Sequence, residues 1–155
     1  MIEMAKIKMQ EYNDVTYIVG DFRDFKFDRE YEVVVSSLAL HHLVTDTDKK
    51  QFYKKVFDNL SKGGVFYNAD VILGSNDHLE EVYMSKWKEF MSQNVSWEEI
   101  EKKWIPKYYE EYRPAKLIDH LKWLEDIGFI DVDVIRKYYN FAVYGGSKKY
   151  GNDYA

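Results

Sequence analysis

The run that most restricts this chain is YEVVVSSLALHHL, from Tyr31 to Leu43. Its first half is almost uninterrupted apolar sequence, which suits a strand in the middle of a buried sheet, covered on both faces. Its second half breaks into two serines, a short apolar turn and two adjacent histidines. Three explanations compete for that polar end: a metal site, a catalytic histidine pair, or the rim of a small-molecule pocket.

The flanking segments set the fold class. VFYNADVIL, Val65 to Leu73, is a second run with almost no polar face. Between the two lies a helix over about residues 49–60, with Asp46 and Asp48 ahead of it and SKGG to stop it. Its apolar stripe is Phe52, Val56, Phe57 and Leu60. Upstream, Ile2, Ala5 and Met9 share one face of a helix over Met1 to Gln10, and VTYIVGD (Val15 to Asp21) predicts a short strand. Helix, strand, strand, helix, strand implies parallel pairing through crossovers, hence an α/β sheet.

From Gly74 to about Pro114 the texture turns helical and aromatic. Ser96 and Glu99 have the spacing of a capping box, and Pro106 should end or bend the second helix there. A further helix spans about Ala115 to Ile127, burying Leu117, Leu121 and Leu124, and Gly128 closes it. GFIDVDVIRKYYNFAVYGG then gives two strands joined by a tight turn near Tyr139 and Asn140. The tail, residues 150–155, is polar and should fray. The expected layout is one domain over 1–149, a lid-like helical insertion at about 74–114, and the tail.

Composition narrows the function. A chain of 155 residues with 46% hydrophobic and 32% charged side chains has the makings of one ordinary core. The net charge of −5 comes with no dense Lys/Arg block, which argues against a nucleic-acid partner. No cysteine is present, so disulfides and thiolate metal sites are excluded. No run reaches membrane-spanning length and no signal-peptide core opens the chain, so the cytoplasm is the expected setting, with no membrane partner. Aromatic residues make up 17%, including fourteen tyrosines, too many for the core of a small domain; some should line a pocket or an interface.

The ordered set VTYIVGD, YEVVVSSLAL with HHL behind it, a helix ending SKGG, VFYNADV and the terminal pair GFIDVDVIRKYYNFAVYGG resembles the class I S-adenosylmethionine-dependent methyltransferases. The resemblance covers nearly the whole chain; each motif is weak alone and their order is more specific. It implies a Rossmann-like α/β sheet with a terminal antiparallel hairpin and a helical insertion. It also implies S-adenosylmethionine as cofactor and a small-molecule methyl acceptor as partner. MIEMAKIKM corresponds to the helix after the family's second strand. The first two strands, the glycine-rich loop and the acidic residue that takes the ribose hydroxyls have no counterpart. The chain therefore resembles the C-terminal two-thirds of such an enzyme.

By this resemblance Asp21 and Phe22 would contact adenine, and Ser36, Ser37 and Leu38 would meet the ribose and methionine moiety. Read without it, Asp21 is a turn or cap and the serines are strand-end polarity. For the histidines, a metal needs three or four convergent ligands, and adjacent residues rarely converge on one ion. No metal is expected. Methyl transfer to a good nucleophile needs in-line positioning more than a base. By the resemblance, in which an HH pair sits on the loop flanking cofactor and acceptor, His41 is expected at the pocket rim, as a cofactor contact and the candidate catalytic residue, with His42 structural. Two functions follow: a methyltransferase of small molecules, or a non-catalytic fragment acting as an oligomeric or partner-binding module. Loss of two strands should leave YEVVVSSLAL as an edge, calling for a homodimer or for the missing N-terminal half.

Overall fold

The computed structural model describes residues 2–151. Met1 of the expected first helix and 152–155 of the expected tail lie outside the described residues. Helix α1 (Ile2–Lys8) buries none of its side chains. An irregular segment leads to β1 (Tyr31–Ser37), a 3₁₀ turn (Leu40–His42), α2 (Asp46–Asn59) and β2 (Leu60–Val71). Helices α3 (Asp77–Met91), α4 (Trp97–Glu99) and α5 (Ile105–Glu111) follow, then α6 (Leu117–Ile127) and the hairpin β3 (Ile130–Tyr138) and β4 (Phe141–Ser147). The sheet order is β1-β2-β4-β3, with β1 parallel to β2 and the other two pairs antiparallel.

Local chemistry accounts for most boundaries. Helix α2 opens on a complete capping box: Thr45 Oγ1 accepts from the Asp48 N–H at 3.1 Å, and Asp48 accepts from the Thr45 N–H at 3.0 Å. Helix α6 closes on Gly128 at φ 115°, a left-handed cap that costs glycine little. At Gly145 a Cβ would stand 1.9 Å from the Phe66 carbonyl oxygen, so the pairing of β4 with β2 needs a residue with no side chain there. The hairpin turns at Tyr139 and Asn140, as the sequence suggests.

The core lies on one face of the sheet. Phe66 of β2 and Ala142 and Tyr144 of β4 are fully buried there, against Tyr53 and Val56 of α2 and Leu124 of α6. On the other face Val33 and Val35 are 58% and 72% exposed, while Val34 packs inward. The expectation of a strand covered on both faces is therefore corrected: no helix among the described residues covers the outer face of β1.

Two further expectations change. Val15 to Asp21 is not a strand; it is irregular, with Ile18 62% and Val19 86% exposed, because no strand lies beside it to complete a ladder. SKGG does not stop α2 either. The helix ends at Asn59 and β2 begins at once, with Leu60 paired to Tyr31 and Val65 to Val33. Residues 61–64 are the excess accommodated in that irregular stretch of the ladder.

Residues 74–114 form an excursion from the sheet whose ends meet. Leu73 and Lys116 make a parallel bridge, and the Leu73 N–H donates to the Ala115 carbonyl at 3.0 Å. Asn76 caps α3 by accepting from the Leu79 N–H at 2.9 Å. At Ser96 only half of the expected capping box forms: Ser96 accepts from the Glu99 N–H, but Glu99 pairs with Lys103. Pro106 does not end its helix. A π-helical stretch, Ile100–Trp104, widens the turn just ahead of it, and α5 carries the proline in its first turn. Met84, Ile100 and Tyr108 are buried within the excursion and stand apart from the main core.

Candidate active site

Because β1 and β2 run parallel, both carboxyl ends fall on one edge of the sheet, the edge where open α/β sheets bind ligands. Two hollows flank it. One, of about 330 Å³, is lined by Asp21, Phe22, Arg23, His42, Val44 and Asp48, among others. The other, of about 420 Å³, has Leu38 and Val71 at its floor and aromatic walls that include Trp87, Phe90, Tyr112 and Tyr138.

Asp21 turns back on its own loop. Its Oδ1 accepts from the Arg23 backbone N–H at 2.8 Å and from Nε at 3.0 Å, and its Oδ2 accepts from the guanidinium at 2.6 Å. The Arg23 side chain beside it holds the carboxyl down to about 2. Phe22 meets Phe52 of α2 edge-on at 5.5 Å. Lys55 of α2 donates to the carbonyls of Phe22, Arg23 and Phe25 and so fixes the loop to the helix.

Between the hollows lies the histidine pair. His41 is 3% exposed, and its ring stacks 4.2 Å from both His42 and Tyr112. Its backbone N–H donates to Asp70 Oδ2 at 3.0 Å, and its Nδ1 is bonded to Asp70 Oδ1. Asp70 also accepts from the Val71 N–H at 2.9 Å and from Asn68 Nδ2 at 3.5 Å. A carboxylate surrounded by donors makes Nδ1 the protonated nitrogen and leaves Nε2 as an acceptor. That Nε2 is buried and has no partner among the described residues. His42, by contrast, is exposed, lines the Asp21 hollow and donates from Nδ1 to the Glu111 carbonyl at 3.3 Å.

A polar chain runs behind the pair through the core. Asn68 Nδ2 donates to the Tyr144 hydroxyl at 2.9 Å, Tyr144 to Tyr53 at 3.0 Å, and Tyr53 to His120 Nδ1 at 2.8 Å. Burial raises both tyrosines above the usual phenol range and pulls His120 down to about 3, so every member is neutral.

The candidate residues thus separate. Asp21 and Phe22 share one hollow, Leu38 faces the other with its backbone at φ 49°, and His41 is buried between them. Neither Ser36 nor Ser37 lines either hollow, and the Ser36 hydroxyl is buried without a partner. Asp70, Tyr108 and Tyr112 were not singled out from the sequence. Asp70 had a visible signal, a carboxylate at an alternating inward position of an apolar strand. No three His, Cys, Asp or Glu side chains are grouped to hold a metal among the described residues. No helix among them is long and apolar enough to cross a membrane.

A sequence model described as a methyltransferase domain matches residues 1–64. The solved S-adenosylmethionine-dependent methyltransferase SibL superposes on 96% of this chain and 40% of its own, with a TM-score of 0.68 and 15% identity. The N-methyltransferase NodS of Bradyrhizobium japonicum, solved with S-adenosyl-L-homocysteine, covers 95% of this chain and 61% of its own at a TM-score of 0.58 and 9% identity. This chain has the class I methyltransferase fold. Among curated proteins, a carboxy-S-adenosyl-L-methionine synthase of Staphylococcus epidermidis is 26% identical over 91% of this chain and 62% of its own length. An uncharacterized methyltransferase of Bacillus thuringiensis is 35% identical over 48% of this chain. The chain spans about three-fifths of the synthases it matches, 58–62% of their length. In open α/β sheets of this kind, ligands bind at the strand-end edge.

Proposed function

We propose that this chain forms the adenine side and the acceptor side of an S-adenosylmethionine-dependent methyltransferase acting on a small molecule. The observation that carries this reading is the position of His41, a buried imidazole whose ring touches His42, a wall of one hollow, and Tyr112, a wall of the other. Methyl transfer between two small molecules needs neighbouring pockets that bring the reacting atoms into line. The residues present fit the adenosine end. Asp21 Oδ2 has one bond and can accept another from an amino group, while Phe22, Leu43 and Val44 give a flat ring apolar cover. Ser36, Ser37 and Leu38 are the proposed contacts for the ribose and methionine moiety.

When bound, S-adenosylmethionine supplies a methyl carbon on a positively charged sulfur. On the protein side, Asp70 keeps the Nδ1 of His41 protonated, and Nε2 takes the acceptor's proton as its nucleophile is freed. Tyr112, stacked on His41 and shared with the aromatic hollow, excludes water from that nitrogen. The names of the synthase relatives and the ligand in NodS support the same class of cofactor. The proposed unit is one domain over 1–149 with 74–114 as its lid, in the cytoplasm, as suits a cysteine-free chain.

Calorimetric titration with S-adenosyl-L-homocysteine tests this. Saturable binding that weakens about tenfold in Asp21→Ala is expected. Binding with unchanged affinity in that variant removes Asp21 from the site. No binding at all by the intact chain leaves the other function, an oligomeric or partner-binding module.

A further inference from the structure

The aromatic hollow has a neighbour. A second space of about 310 Å³ lies between α3 and the helical run ending in α5, and Trp87, Tyr108 and Tyr112 line both. The two spaces therefore share three wall residues. Tyr108 is 3% exposed, its ring lies 5.1 Å from Trp87, and its hydroxyl has no hydrogen-bond partner among the described residues. Buried polar groups are nearly always paired, so an orphan hydroxyl on a side chain that lines both spaces marks a partner that a bound ligand would supply. Burial raises this phenol above its usual range, so it remains a donor and calls for an acceptor.

We propose that these two spaces together take a planar aromatic compound bearing a carbonyl oxygen, and that the Tyr108 hydroxyl donates to that oxygen. Planarity follows from the walls, since Trp87, Phe90, Tyr108, Tyr112 and Tyr138 present flat rings that stack best on another flat ring. Neutrality follows from the charges. Each lysine at the wall already faces a carboxylate, Lys86 with Glu89 at 2.7 Å and Lys107 with Glu111 at 3.7 Å, so no spare cation awaits an anion. The role of this compound as methyl acceptor rests on the function proposed above; its binding does not.

The test uses 2-acetylnaphthalene and its carbonyl-free counterpart 2-ethylnaphthalene, followed by quenching of tryptophan fluorescence in the intact chain without methyl donor. Both should bind saturably, the ketone more tightly. Tyr108→Phe, which keeps the ring, should weaken the ketone by about tenfold and leave the hydrocarbon unchanged. Phe90→Ala, at a residue 61% exposed and safe for folding, should weaken both. Absence of saturable binding by either compound overturns the site. Equal loss, or no loss, of both compounds in Tyr108→Phe overturns the carbonyl contact. Failure of S-adenosyl-L-homocysteine to bind, with the ketone still bound, refutes only the methyl-transfer reading.

Discussion

His41 and Asp70 are joined twice, once through the backbone N–H of His41 and once through its ring. The double attachment fixes where the 3₁₀ turn sits on the end of β2 and which imidazole nitrogen carries the proton. In Asp70→Asn the amide cannot accept at both positions as the carboxylate does, and a buried donor loses its partner. Stability should fall by about 1–3 kcal/mol. Nitrogen NMR of His41 should report the Nδ1–H tautomer in the parent and its loss in the variant. An unchanged tautomer would show that Asp70 does not set it.

Acid should weaken the fold well before its carboxylates titrate. In the folded chain His120 takes up a proton only near pH 3, whereas an unfolded histidine does so near 6.5. Between those values the unfolded chain holds more protons, so stability falls as pH is lowered through the interval and is fully present above it. The slope approaches about 1.4 kcal/mol per pH unit from this one group. Urea midpoints measured from pH 7 to pH 4.5 should decline, and His120→Gln should flatten the decline. A parent midpoint constant over that range would contradict the assignment.

The excursion should open more readily than the sheet. Its buried side chains, Met84, Ile100 and Tyr108, lie outside the main core cluster. Regions with few ties to the core open at lower free energy. Amide exchange in 77–111 should therefore be faster than in Val65 to Asp70. Equal protection would make the segment part of the core and end its role as a lid.

The expected homodimer should form at β1. That strand has one sheet neighbour among the described residues, and its outer face shows Val33 and Val35 bare. Exposed β edges of this kind pair readily with another chain. Sedimentation at micromolar concentration should give a dimer, and Val33→Lys together with Val35→Glu should shift it to monomer. A parent chain that sediments as a monomer of 18.6 kDa would refute the dimer.

What the sequence made legible was whatever its periodicity encodes. The apolar runs located β1 and β2, and the Gly128 cap and the turn at Tyr139 and Asn140 fell where local chemistry puts them. VTYIVGD misled because a strand needs a neighbour, and pattern alone does not supply one. For the serines the pattern reaches less far: alternation gives a face, while which hollow a strand end meets depends on the turn that follows. At the histidine pair, the buried and exposed roles came from the reach of Asp70, twenty-nine residues away. Tyr108 and Tyr112 were lost among fourteen tyrosines, since only the packing of α5 tells a wall from a filler.

The bridge between Leu73 and Lys116 has a consequence for how such proteins diversify. A segment stitched together at its entry and exit can be exchanged as a cassette without re-threading the strands that carry it. Natural variation in the forty-one residues from 74 to 114 can then alter what is bound while the rest of the chain conserves how it folds. Grafting that segment onto a related sheet, joined at the same two positions, should transplant ligand preference along with it.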